Sequence, residues 1–203
     1  MTRIKLCGLC RSSDITAVNG IDTEYAGFVF VRTSKRYVSP AAATEFRRML
    51  APGIKAVGVF ADEDADRVAA LLNGGVIDMA QLHGHETDDY IRLLRSLAAG
   101  KVLIKAFRLR TEDDAAAAEK SEADYVLLDS GGGSGAVFDW RLAALVRRPY
   151  FLAGGLTAEN VADAVRRLRP FAVDVSSGIE SDGVKDNHKM AAFVAAVRQG
   201  DKS

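Results

Sequence analysis

The sequence predicts an α/β protein, a single-domain (βα)8 TIM barrel over residues 1–203, on three observations. Short apolar runs alternate with longer amphipathic ones from end to end, which implies a parallel sheet. Eight of the short runs read as strands, each followed by a helix or a turn of one. They recur at roughly 22 to 30 residues, a spacing that suits a βα unit. A doubly wound sheet shares this alternation, but eight units in 203 residues favour the closed barrel, near the lower end of its usual size. No Pro/Gly/Ser linker or shift of composition divides the chain.

The strand-like runs are short, rich in β-branched and aromatic residues, and bounded by turn residues. In order they are Arg3 to Cys7, Tyr25 to Val31, Ile54 to Phe60, Asp78 to His83, Val102 to Phe107, Tyr125 to Asp129, Tyr150 to Gly154 and Ala172 to Ser176. The first distinct helical pattern, A-A-A-T-E-F-R-R-M-L, follows Pro40, a favoured first-turn residue. D-A-D-R-V-A-A-L-L-N runs into Gly74-Gly75, a natural helix stop. T-D-D-Y-I-R-L-L-R-S-L opens with an N-cap threonine and acidic residues that suit the helix dipole, and T-E-D-D-A-A-A-A-E-K begins the same way. A-E-N-V-A-D-A-V-R-R-L and N-H-K-M-A-A-F-V-A-A-V-R close the series.

The composition is 48% hydrophobic and 27% charged, ordinary for a globular protein. Lys+Arg and Asp+Glu both number 27, for a formal net charge of zero. That removes the electrostatic footprint of a nucleic-acid partner, and Arg166 to Arg169 read as the end of a solvated helix. No apolar run reaches the roughly 18 residues that span a bilayer, and the N-terminus has no apolar leader region. The expected location is therefore the cytoplasm, with no membrane partner. The oligomeric expectation is a monomer or a homodimer.

A barrel carries its chemistry at the C-terminal ends of its strands, so the reactive side chains that end strands are the candidates. Cys7 ends the first strand, Arg36 follows the second, His83 ends the fourth, Asp129 ends the sixth, and Ser176 and Ser177 end the eighth. His83 reads as a pocket wall. Asp174 is a carboxylate inside an apolar strand; it lines the pocket or orients Ser176, and the sequence leaves both open. Two glycine loops follow the last two strands, at Gly154-Gly155 and at Ser176-Ser177-Gly178. Their free backbone N–H groups, with a short helix expected after strand eight, suit phosphate. The run D-S-G-G-G-S-G-A-V-F-D-W (Asp129 to Trp140) is too glycine-rich to hold one shape cheaply, and reads as a mobile cover ordered by ligand. Trp140 reads as core, packing this loop against its helix.

These residues stand in an ordered series of motifs: K-L-C-G-L, G-F-V-F…S-K-R-Y-V, V-G-V-F, Q-L-H-G, I-K-A-F, L-L-D…G-G-S-G…F-D-W, L-A-G-G-L…E-N-V and D-V-S-S-G-I-E…G-V-K-D. The series resembles the phosphoribosylanthranilate isomerases of tryptophan biosynthesis nearly end to end. The resemblance implies the Amadori rearrangement of N-(5-phosphoribosyl)anthranilate, a small phosphosugar, to 1-(2-carboxyphenylamino)-1-deoxy-D-ribulose 5-phosphate. It makes Cys7 the general base and Asp129 the general acid. Arg36 would hold the anthranilate carboxylate, and the two glycine loops the phosphate.

The residue types agree with that chemistry. Opening the furanose needs a proton on the ring oxygen, which a carboxylic acid supplies when burial raises its pKa. The C2 proton must then leave an iminium. A thiolate takes it if the thiol pKa falls from about 8.5 toward neutrality. The iminium is the electron sink and the rearrangement is internal, so no metal and no cofactor is expected. The family usually has threonine where this chain has Cys10 and proline where it has Lys35, which bears on the loop that presents Arg36.

Cys7 and Cys10 are the only cysteines. A redox C-x-x-C would ordinarily be preceded by a strand and a helix, whereas Cys7 lies on the first strand. A structural zinc needs four ligands, and only His83 and His85 are available as partners, in an unusual H-x-H spacing. The pair reads as one working thiol with an incidental neighbour. Two rivals share the phosphate loops. Other sugar-phosphate barrel enzymes need a metal site or paired aspartates, where this first strand ends in cysteine. A non-catalytic phosphosugar-binding module would have no use for both Cys7 and Asp129.

Overall fold

A computed structural model of the chain describes residues 1–129 and 140–202. Eight parallel strands close into a barrel in sequence order: β1 (Arg3–Cys7), β2 (Tyr25–Val29), β3 (Lys55–Phe60), β4 (Met79–Leu82), β5 (Val102–Arg108), β6 (Tyr125–Asp129), β7 (Tyr150–Ala153) and β8 (Ala172–Val175). The last closes on the first, with Lys5 opposite Asp174 and Leu6 opposite Val175. The expected edges shift by one or two residues. β2 stops at Val29, and β4, β7 and β8 stop one residue short, so His83, Gly154 and Ser176 open their loops rather than end their strands.

Alternate residues of each strand face opposite sides. On β1, Ile4 and Leu6 pack outward in the shell between sheet and helices. The inner cluster is built from Tyr25, Val57, Met79, Ile104, Leu127, Phe151 and Ala172. Its rings interlock, with Tyr25 and Phe151 centroids 5.5 Å apart and Tyr125 stacked on Phe171 at 4.5 Å. The lower barrel is thus plugged by side chains, and the upper ends of the same faces are left for the site.

The outer helices are α1 (Ser12–Asn19), α2 (Pro40–Met49), α3 (Ala65–Asn73), α4 (Asp88–Leu97), α5 (Glu112–Lys120), α6 (Trp140–Ala143), α7 (Val161–Leu168) and α8 (Asn187–Gly200). Their starts follow the capping rules. Ser39 accepts from Ala42 N–H ahead of Pro40, Thr87 from Tyr90, and Thr111 forms a capping box with Asp114. α1 carries no strong amphipathic pattern. Its start is organised by Asp14, whose buried carboxylate accepts the N–H groups of Cys10 and Arg11, both at 3.0 Å. Trp140 opens α6, packs against the core and lies under the Arg167 guanidinium, 5.3 Å from its ring centroid.

The helix expected directly after strand eight is instead one 3-10 turn, Ser177–Ile179. It leads into a small antiparallel hairpin, β9 (Glu180–Ser181) and β10 (Val184–Lys185). Asp182 and Gly183 form the hairpin's two-residue turn with φ of 52° and 78°. Positive φ at both positions is what such turns require, and Asp-Gly is a pair that supplies it. The expected mobile cover after Asp129 falls on residues 130–139, outside the described residues. Among the described residues, no helix is long and apolar enough to cross a membrane.

Candidate active site

The strand alternation that plugs the lower barrel delivers a polar layer at its upper end. Cys7 on β1, Gln81 on β4, Asp129 on β6 and Asp174 on β8 all line one cavity of about 430 Å³. The loops complete it: Arg36 after β2, His83 after β4, Gly154, Gly155 and Leu156 after β7, and Ser176, Ser177 and Gly178 after β8. Every residue singled out from the sequence as a site candidate therefore lies on one pocket. Among the described residues, no group of three or more His, Cys, Asp or Glu side chains is arranged to hold a metal ion.

The Cys7 thiol is buried. Burial pushes its pKa up, Lys5 draws it down, Asp174 adds to the upward push, and Lys185 draws it down. The net shift is upward, against the depressed thiol expected from the sequence. The physical reason is that the strand buries the sulfur within the barrel, which favours its uncharged form. Cys10 lies on the exposed side of the loop and does not line the pocket, so the two thiols occupy different environments.

Arg36 is held by a fork. Its Nε donates to Glu180 Oε1 at 2.6 Å and its Nη2 to Glu180 Oε2 at 2.7 Å. Lys185 Nζ reaches the same carboxylate at 2.6 Å and the Ser176 carbonyl at 2.8 Å. Burial alone would raise the Glu180 pKa; the hydrogen bonds from Arg36 and Lys185 outweigh it and hold the carboxyl at about 2. Gly8 makes room for this arrangement. A Cβ there would stand 2.4 Å from Arg36 Cδ, on a backbone with φ of 78°.

His83 stands between two strand ends. Its Nδ1 is 3.0 Å from Gln81 Nε2 and its Nε2 is 3.6 Å from Asp129 Oδ2. Its two ring nitrogens thus face the Gln81 amide on one side and the Asp129 carboxyl on the other. Asp174 faces the pocket and accepts from the buried Lys5 ammonium at 2.9 Å. Of the two roles the sequence left open for it, lining the pocket is the one the structure displays.

The two glycine loops meet backbone to backbone. A Cβ built on Gly178 would lie 2.0 Å from the Leu156 carbonyl oxygen, a distance no side chain tolerates. Gly178→Ala must therefore separate the loops after β7 and β8. The expected result is a raised KM, about tenfold or more, as the loss of one charge-assisted contact of 1.5–3 kcal/mol would give. Steady-state kinetics beside a thermal melt checks it; an unchanged KM in the folded variant removes these loops from substrate binding.

Sequence reasoning missed Lys5, Gln81, Glu180 and Lys185. Lys5 and Gln81 sit inside strands, short of the ends where reactive groups meet at the barrel mouth. Glu180 and Lys185 lie within the hairpin that was not foreseen. Their signal was the S-D-G-V turn, readable as a hairpin between two short polar runs.

The fold and the pocket define a (βα)8 barrel with a thiol, a carboxylate, an arginine fork and paired glycine loops at its mouth. Residues 4–196 match the family described as N-(5'phosphoribosyl)anthranilate (PRA) isomerase. The N-(5'-phosphoribosyl)anthranilate isomerase of Endomicrobium trichonymphae is 41% identical over 203 residues, covering 98% of this chain and 99% of that protein. The crystal structure of the phosphoribosyl anthranilate isomerase from Thermotoga maritima superposes with a TM-score of 0.87 at 36% identity, over 98% of this chain and 99% of the other. A further structure of such an isomerase, in complex with reduced 1-(o-carboxyphenylamino)-1-deoxyribulose 5-phosphate, gives a TM-score of 0.84 at 34% identity, over 98% and 99%. The chain belongs to the phosphoribosylanthranilate isomerase family.

Proposed function

We propose that this protein catalyses the Amadori rearrangement of N-(5-phosphoribosyl)anthranilate in tryptophan biosynthesis, with Asp129 as general acid and Cys7 as general base. The observation that carries the reading is the convergence of Cys7, Asp129, Arg36 and both glycine loops on one cavity. Asp129 protonates the ring oxygen as the furanose opens. The anilino nitrogen supplies the electron pair, and the product is an iminium at C1. The thiolate of Cys7 then takes the C2 proton, and the C–H electron pair neutralises the iminium. The resulting enolamine tautomerises to the ketose. The iminium carries a positive charge beside a thiol that burial holds up, which favours ionisation of the sulfur when it is needed.

Arg36 holds the anthranilate carboxylate. Glu180 occupies its Nε and one N–H of Nη2. The opposite edge, Nη1 with the second N–H of Nη2, fits a second carboxylate through two parallel bonds. The backbone of Gly154–Leu156 and Ser176–Gly178 receives the phosphate. The family complex with a reduced product-like ligand supports a carboxyphenylamino sugar phosphate in this site. His83 lines the pocket beside the acid.

The fluorescence of the anthranilate group on mixing purified protein with phosphoribosylanthranilate tests the reading. Turnover at a rate proportional to enzyme is expected; its absence overturns the assignment. Arg36→Ala should raise KM with a smaller change in kcat, and Arg36→Lys should not fully restore it, because an ammonium cannot copy the guanidinium fork. Unchanged KM in both variants removes Arg36 from the substrate.

A further inference from the structure

Lys5 is a buried charge that the reaction above does not use. Strand alternation places it on the inner face of β1, two residues before Cys7, at 0% exposure. Its register partners are Tyr25 on β2 and Asp174 on β8, so it lies in the layer that forms the pocket floor. Its Nζ donates to Asp174 Oδ1 at 2.9 Å, and Cys7 stands two residues along the same inner face of β1. Burying an ammonium is costly, and an apolar side chain would often fill such a position with equal or better stability. Asp174 and Cys7 both line the cavity, whereas Lys5 is sealed beneath them.

We propose that Lys5 is a positioning residue for proton transfer at Cys7: one ammonium shared between Asp174 and the sulfur, ready to hold the thiolate. The inference rests on the reading of Cys7 as the base. In the step, the proton leaves C2 of the substrate and ends on Cys7 Sγ, the C–H electron pair passes to the iminium, and Lys5 keeps its three protons throughout. Before transfer the ammonium donates to the thiolate; afterwards its interaction with Asp174 dominates. The sulfur therefore never faces the barrel interior as an unpaired anion.

Several charges face Cys7. Lys5 comes from its own strand, Asp174 from β8 and Lys185 from β10, and Arg36 from the loop after β2. Among them Lys5 draws the thiol down most and Asp174 pushes it up. The two partners of one ion pair thus act on the same sulfur in opposite directions.

The test follows alkylation of Cys7 by iodoacetamide against pH, in a Cys10→Ser background so that one thiol reports. Lys5→Met should move the midpoint upward by about one unit, so that alkylation at neutral pH falls about tenfold. Asp174→Asn, which leaves the full ammonium charge to the sulfur, should move it downward. A Lys5→Met midpoint equal to that of the parent, or a shift of both variants in the same direction, overturns the proposal. If Lys5→Met does not fold, Asp174→Asn decides alone: a lowered midpoint supports the proposal, and an unchanged or raised one overturns it. The profile is read without turnover. A Cys7→Ala variant that stays active would sink the base assignment while leaving the Lys5 effect measurable.

Discussion

Cys7→Ala is expected to lower kcat by about 10²- to 10⁴-fold, the usual worth of a positioned proton-transfer group, while KM stays close to that of the parent. The sulfur ends β1 on its inner face, at the floor of the cavity. Alanine fills the same strand position without a proton acceptor. Structural damage should be small, because a buried cysteine behaves as a small apolar residue. Cys7→Ser should not rescue the rate, since a hydroxyl in the same buried place ionises far less readily than a thiol. A loss confined to kcat, with kcat/KM falling in step, is the mark of an interaction made in the transition state rather than in binding. Stopped-flow fluorescence with thermal melts of each variant supplies both readings. A kcat within a few-fold of the parent would remove Cys7 from the chemistry.

Asp129→Asn is expected to lose rate on the same scale, about 10²- to 10⁴-fold, for a different reason. The amide keeps the shape of the carboxyl and the approach to His83, whose Nε2 lies 3.6 Å from Oδ2, but it has no acidic proton to give the ring oxygen. Ring opening then depends on solvent. An Asp129→Asn variant with parental kcat would show that the proton comes from elsewhere, and His83 would be the first candidate.

The alternation of apolar runs with amphipathic ones was enough to read the barrel, since strand pairing in a (βα)8 fold follows sequence order. Strand ends moved by one or two residues, as at Val29, where the apolar Phe30 and Val31 continue the strand-like run past the paired residues. α1 was not legible: its start depends on Asp14 folding back onto Cys10 and Arg11, a local bond with no periodic signature. The pocket was legible through one rule, that reactive groups at strand ends meet at the barrel mouth, and it collected Cys7, Arg36, His83 and Asp129. The rule looks past residues inside strands. Lys5, inside R-I-K-L-C and two residues before the strand end, carries no such signal, and lysine is ordinarily exposed; barrel closure buries it. The Arg36–Glu180–Lys185 cluster joins two points distant in sequence, the loop after β2 and the β9–β10 hairpin, and only the fold brings them together. The direction of the Cys7 shift was also beyond the sequence, because it depends on how deeply the strand buries the sulfur.

The assignment of base to Cys7 and acid to Asp129 is tested most directly by single-turnover rates with substrate deuterated at C2. Removing the base makes C–H cleavage slower relative to ring opening. Removing the acid makes ring opening slower and hides the C–H step. The isotope effect should therefore be larger in Cys7→Ser than in the parent, and should collapse toward unity in Asp129→Asn. The reverse pattern, with the larger effect in Asp129→Asn and none in Cys7→Ser, would contradict the assignment.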